Sequence, residues 1–176
     1  MEITIKELNK HEITRIKEID RSEEIGYKYV HNDGELEKVE LNVHAPRWTP
    51  EIIQENINML TPILDNEGHF LGAFHQEKLV GVAVLGGEFI GDNQDELQMA
   101  FLYTSNGYRR SGIGKQLMDK VSHLAKSKGA KKLYISAAET ESAVSFYLHY
   151  GCKLAPKVNS ELYALNPEDI HFIKEL

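Results

Sequence analysis

The chain has little of several things, and each shortage removes a class of function. Among 176 residues there is one cysteine, Cys152, so no internal disulfide can form and a reducing compartment is expected. The segment Met1 to Lys6 has no apolar signal-peptide core, and no run reaches membrane length, which makes a cytoplasmic location the expectation. Basic residues are in deficit, 20 against 27 acidic, for a net charge of −7. That balance lacks the cationic footprint of a nucleic-acid binder and is compatible with attracting a cationic substrate such as an amine. His149 and Cys152, three apart, are only two possible ligands with no partner cluster, so no metal is expected. No repeat, low-complexity tract or long linker divides the chain, and 41% hydrophobic content supplies a sizeable core. One domain, 1–176, follows.

The missing third glycine of the Gly112-Ile113-Gly114 turn is equally informative. A dinucleotide fingerprint would place it at Leu117, and a P-loop would need Ser or Thr where Gln116 follows Lys115. What is present is Arg-x-x-Gly-x-Gly in Arg109, Gly112 and Gly114, between an apolar extended run, Leu97 to Thr104, and an amphipathic run to Lys128. A strand, a turn and a helix N-terminus form a geometry that receives phosphate. The first amides of the helix lack internal partners and the macrodipole is positive there. Arg109 and Arg110 add charge, and the stretch from Tyr108 to Gly114 reads as a diphosphate cradle.

Along the chain, Ile3 and Ile5 alternate as a first strand, and Ile13, Ile16 and Ile19 mark a helix ending near Arg21. Tyr27 and Tyr29, the turn Asn32-Asp33-Gly34, and Val39, Leu41 and Val43 predict an inserted β-hairpin. Its Glu35, Glu37 and Glu40 form either a solvated face or an acidic substrate rim. Thr49-Pro50 starts a second helix, which Pro62 ends or kinks. Trp48 is a core plug or a substrate wall, and His44 is placed to border a pocket. Strands follow at His69–His75 and Leu79–Leu85, Gly86-Gly87 relaxes the chain, and Ile90–Asp95 is a loop. After the cradle, Ile113, Leu117, Val121 and Leu124 form a buried helical stripe closed by Gly129. Leu133-Tyr134-Ile135 is then a parallel strand, Ser142–Tyr150 a helix, and Leu162–Leu165 a late strand before a short tail from Pro167. The product is one α/β unit with a mixed sheet.

The run Ala143-x-x-Phe146-Tyr147-x-x-x-Gly151-Cys152 joins the Arg-x-x-Gly-x-Gly loop at a distance that fits one helix, one strand and one loop. Together the two motifs resemble the GNAT superfamily of acyl-CoA-dependent N-acetyltransferases, strongly over the second half of the chain and in element order over the first. The resemblance implies two parallel strands that splay apart to admit the pantetheine arm of acetyl-CoA. Backbone groups of Leu102, Tyr103 and Thr104 would pair with the arm. Arg109, Arg110, Ser111, Gly112, Ile113, Gly114 and Lys115 would hold the diphosphate, with Thr140 and Phe146 nearby.

Tyr147 is then either the acid for the leaving thiolate or a packed aromatic that fixes coenzyme A. Three departures from the family pattern stand out: Thr140 replaces an asparagine, Cys152 a phenylalanine, and Gln98 a glutamate base. Glutamine takes no proton, so Glu96, two residues earlier on the same strand face, becomes the candidate base, directly or through water. The implied activity is acetyl transfer to a primary amine, on a small molecule in preference to a protein. A catalytically silent acyl-CoA sensor is the alternative, and late-strand pairing leaves room for a homodimer.

Overall fold

The computed structural model describes residues 1–176. Asn9 opens the first helical segment with a reciprocal cap, its side chain taking the His11 amide while Glu12 reaches back to the Asn9 amide. The segment is a 3-10 helix, Lys10–Glu18, and not an α-helix to Arg21. Ile13, Ile16 and Ile19 recur every three residues, the period of a 3-10 turn, so all three reach one buried face. The strand before it, β1 (Thr4–Leu8), leads the sheet. The expected hairpin is present as β2 (Glu23–Asn32) and β3 (Glu35–Ala45), a separate two-stranded sheet.

Thr49 caps α1 (Pro50–Asp65). Pro62 does not end this helix, because Leu60 and Leu64 are buried on either side of it and hold the last turn in place. β4 (His69–His75) and β5 (Lys78–Ile90) follow. β5 runs through Gly86-Gly87, where the chain was expected to relax after a strand ending at Leu85. Gly87 lies against the backbone of Asn66 and Glu67, and a Cβ there would come within 2.4–2.5 Å of it. The glycine permits a close approach and not a break. β6 (Glu96–Thr104), α2 (Ile113–Ser127), β7 (Lys132–Ala137) and α3 (Glu141–His149) take the predicted order.

The late region differs most. Leu162–Leu165 belongs to a helix, α4 (Ser160–Leu165), because the Asn159 side chain accepts from the Glu161 and Leu162 amides, both at 3.1 Å. The expected tail is a strand, β9 (Ile170–Glu175), inserted between β7 and the two-residue β8 (Lys153–Leu154). The seven strands run in the order β1-β4-β5-β6-β7-β9-β8, with only β6 and β7 parallel.

Helices α2 and α3 cover one face, over Leu117, Val121, Leu133, Ile135 and Phe172. The 3-10 helix and α1 cover the other, over Ile16, Leu60, Phe70, Val82 and Phe101. Glu18 joins the 3-10 helix to the β4–β5 turn by accepting from Arg15 at 2.6 Å and from the Leu79 amide at 3.0 Å. These bonds hold its carboxyl below the usual range, the Arg15 bond being the larger cause. Ionised Glu18 therefore stabilises the fold at neutral pH, and this contribution is lost as pH falls through its lowered folded value. Glu18→Gln is expected to cost about 1 kcal/mol in urea unfolding at pH 7. The gap between the two chains should close as the pH is brought well below the ordinary carboxylate range.

Candidate active site

The site begins with a break in hydrogen bonding. β6 pairs with β7 only at Glu96, Leu97 and Gln98, against Lys132, Leu133 and Tyr134. Beyond Gln98 the two parallel strands separate. The cause lies on the other edge of β6, where Phe101 pairs with Val84 and Met99 with Leu85, so Ala100 is an extra residue. A bulge of this kind bends its strand and increases the local twist. It also puts Met99 and Phe101 on opposite faces, Met99 toward α2 and Phe101 toward α1. Leu102, Tyr103 and Thr104, the residues expected to meet an extended ligand, pair with Ala83, Val82 and Gly81 on the β5 side and have no strand partner on the other.

The turn after β6 ends on α2. Six consecutive amides, Arg110 through Lys115, donate to no group in the chain, and the first bonded amide is Gln116 to the Gly112 carbonyl. They lie at the positive end of a 15-residue helix. Gly112 is left-handed, φ 83°, with open space where a Cβ would stand. Gly114 serves packing instead: a Cβ there would press on the Phe146 ring at 3.2 Å. Phe146 thus brings α3 against the start of α2, stacked on Tyr150 at 6.1 Å.

Two expected roles shift. The Arg109 guanidinium is committed inward, to the Thr104 and Arg21 carbonyls and to Glu23 at 3.1 Å, so it fastens the loop to β2. Thr140 caps α3, accepting from the Ala143 amide, and its backbone bridges Lys28 of the hairpin. Arg110 and Lys115 remain at the rim, Lys115 in an exposed pair with Asp119 at 2.7 Å. Beside them opens a shallow cleft of about 420 Å³ lined by Lys115, Asp119, Phe146, His149, Tyr150 and Lys174. Tyr150 and Lys174 were not among the residues expected there. Tyr150 donates to Asp119 at 2.8 Å, and burial first, with that carboxylate, pushes its phenol up to about 12. Its i,i+4 spacing from Phe146 was the available signal.

Tyr147 is buried against Phe172, and its hydroxyl has no hydrogen-bond partner in the chain. Burial raises its pKa, with smaller contributions from Cys152, Tyr103 and Asp169. The phenol therefore stays protonated across the neutral range and is available as a donor. Tyr103, on the strand across the gap, is raised by burial in the same way and packs edge-on to Trp48 at 4.8 Å. Trp48 thus closes the α1 side of the gap.

Glu96 does not join this group. It pairs with Lys132 at the hydrogen-bonded end of the β6–β7 couple, whereas Tyr147 packs at the level of Ile135 and Phe172. Three rungs separate them, roughly 10 Å along the sheet. Burial raises the Glu96 pKa, offset in part by Lys132, and its carboxylate lies over Gly91. Gln98 faces Gly86 near Ile63. Cys152 is buried with its thiol pushed up to about 11 by burial, as suits a core residue and not a nucleophile.

Known proteins match this arrangement. The family model described as the acetyltransferase (GNAT) family covers residues 29–151, more than half of the chain. Solved structures share the fold at low identity. A nourseothricin acetyltransferase is 16% identical with a TM-score of 0.71, over 98% of this chain and 96% of that one. The PaiA N-acetyltransferase from Thermoplasma acidophilum, in complex with coenzyme A, is 21% identical with a TM-score of 0.64, over 100% of both chains. A GNAT family acetyltransferase from Elizabethkingia anophelis with acetyl-CoA bound is 19% identical with a TM-score of 0.57, over 99% and 98%. No curated protein matches the sequence. With its splayed parallel strands, its unpaired loop amides and the family match spanning both, the chain belongs to the GNAT family of acetyltransferases.

Proposed function

We propose that the chain transfers an acetyl group from acetyl-CoA to a primary amine of a small molecule, by direct attack with both substrates bound. The observation that carries this reading is the run of six unpaired amides that follows directly on the one-sided edge of β6. The amides fit a diphosphate, since each is a donor without a partner at a helix N-terminus. The free edge of β6 fits an arm with amide groups of its own, as an added strand would.

Bound acetyl-CoA supplies an activated acyl group. Backbone groups of Leu102 to Thr104 orient the arm in the gap, and Arg110 to Lys115 hold its charged end. Tyr147 donates a proton to the sulfur position. Burial keeps its phenol protonated at neutral pH but also makes it a weaker acid, so the transfer is driven by the nitrogen's proton returning to the phenol oxygen. A small acceptor is favoured because the hairpin walls the site. The Tyr29 amide donates to the Glu139 carbonyl at 2.7 Å and Lys38 pairs with Glu141 at 3.2 Å, so β2 and β3 are fastened over the start of α3. The likeness to a nourseothricin acetyltransferase agrees with a small acceptor.

Arg110 has a left-handed backbone, φ 59°, which aspartate tolerates. Arg110→Asp places a carboxylate beside the amides without disturbing the core. Calorimetric titration should show acetyl-CoA affinity lowered about tenfold or more, roughly 1.4 kcal/mol, with the thermal midpoint retained. An affinity within twofold of the natural chain would remove the loop from the binding site. Tyr147→Phe should bind acetyl-CoA normally and lose about 10- to 100-fold in kcat across a panel of primary amines. Unchanged kcat would leave Tyr147 a packing residue.

A further inference from the structure

The amine must lose a proton before it attacks, and Glu96 lies too far along the sheet to take it. Asp169 occupies the turn before β9, whose first residue, Ile170, pairs with Ala137, the last residue of β7. It therefore stands at the wide end of the β6–β7 gap. One carboxylate oxygen, Oδ2, accepts from Ser136 at 2.8 Å. The other, Oδ1, has no partner in the chain and keeps contact with solvent. No cation offsets the charge; the groups acting on it are Ser136 and Glu139. The carboxylate in turn acts on both phenols at the gap, Tyr103 from β6 and Tyr147 from α3. Neither phenol hydroxyl has a hydrogen-bond partner in the chain.

Asp169 Oδ1 and the two phenol hydroxyls are thus polar groups without partners on three elements around the open end of the gap. The Arg21 guanidinium, whose Nε is also buried without a partner, acts on Tyr103 from the start of the hairpin. A fourth observation lies two residues along β9. His171 is buried, with Nδ1 at 2.7 Å from the Tyr134 hydroxyl, which itself accepts from the Asn159 amide at 2.8 Å. The other ring nitrogen of His171, Nε2, is buried with no partner. The Nε2 of His31 on β2, a group that acts on His171, is likewise buried without a hydrogen-bond partner. Buried polar atoms are ordinarily satisfied, so this many unmet groups on one side of the gap mark a place shaped for a polar ligand.

Resting on the transferase reading above, we propose that Asp169 Oδ1 is the ammonium anchor and proton acceptor of the amine substrate. The primary ammonium sits between Oδ1 and the Tyr103 ring wall, and the apolar remainder of the acceptor lies toward Trp48. One N–H bond breaks and an O–H bond forms on Oδ1, leaving a neutral amine with its lone pair free. As the carbon–nitrogen bond forms and the carbon–sulfur bond breaks, the sulfur takes a proton from Tyr147, and the nitrogen's second proton restores the phenol. Asp169 then gives its proton to solvent. Burial raises the Asp169 pKa, chiefly by desolvation and less the Ser136 bond, which brings the carboxylate nearer the pH at which a base is useful.

The test uses the full chain with saturating coenzyme A and two probes, benzylamine as the ammonium and benzyl alcohol as the neutral control. The carboxyl ¹³C resonance of Asp169, assigned by its loss in Asp169→Asn, should move on adding benzylammonium and stay still with the alcohol. In turnover, Asp169→Asn should lower kcat/KM about 10²- to 10⁴-fold near pH 7. Its kcat/KM should then rise tenfold per pH unit toward the pKa of the amine, as free amine replaces the missing base, whereas the natural chain stays flat over that range. The thermal midpoint of Asp169→Asn should be unchanged or higher, since a carboxylate whose folded pKa is raised costs stability once ionised.

A resonance indifferent to benzylammonium, or a variant whose pH profile superimposes on that of the natural chain, would overturn the assignment. A resonance that moves while no amine is acetylated would keep the ammonium site and overturn the transfer reaction instead.

Discussion

The structure depends on one residue too many in β6. Without the bulge at Ala100, β6 and β7 would remain paired along their length and the sheet would be a closed surface. With it, backbone groups on one strand are left without partners in a place that folding alone does not fill. Unpaired backbone groups are costly when dry, so such an edge is kept only where water or a ligand completes it. The same bulge turns Phe101 and Tyr103 to the α1 face while Leu97 and Met99 stay under α2. One backbone irregularity thus opens the gap and sets a different wall on each of its sides.

The elements around the gap are fastened by polar contacts that leave the opening free. Arg109 holds the loop to Glu23 and to the Arg21 and Thr104 carbonyls, so the cradle and the start of β2 form one unit. Ser105 extends this join, its amide reaching the Val80 carbonyl while its hydroxyl accepts from the Asp20 amide. Phe146 seats α3 on Gly114 at the other side.

Much of the fold was legible because its signals were local. The hairpin turn at Asp33-Gly34, the Thr49-Pro50 cap, the stripe of α2 and the stop at Gly129 each declare themselves within a few residues. The run of free amides was legible for the same reason, since it follows from a glycine turn before a helix. What failed depended on distant partners. Leu162 to Leu165 reads as a strand until Asn159 caps it, and Gly86-Gly87 reads as a break until Asn66 and Glu67 lie against it. Arg109 carries charge in the right motif, but Glu23, remote in sequence, claims it. Asp169 follows a proline turn that looks like an ordinary loop, and only the insertion of β9 between β7 and β8 brings it to the gap. Glu96 was chosen by face, and the bulge places the opening of the gap beyond Gln98, past the rung that Glu96 occupies.

In the proposed function, acetyl-CoA completes the backbone groups the fold leaves unpaired. Amide hydrogen exchange resolved by residue, with and without acetyl-CoA, tests it most directly. Arg110 through Lys115 should exchange rapidly in the free chain and become protected together with the free edge of β6, while Glu96 to Gln98 change little. Protection confined to other segments, or binding that leaves those six amides in rapid exchange, would contradict the account.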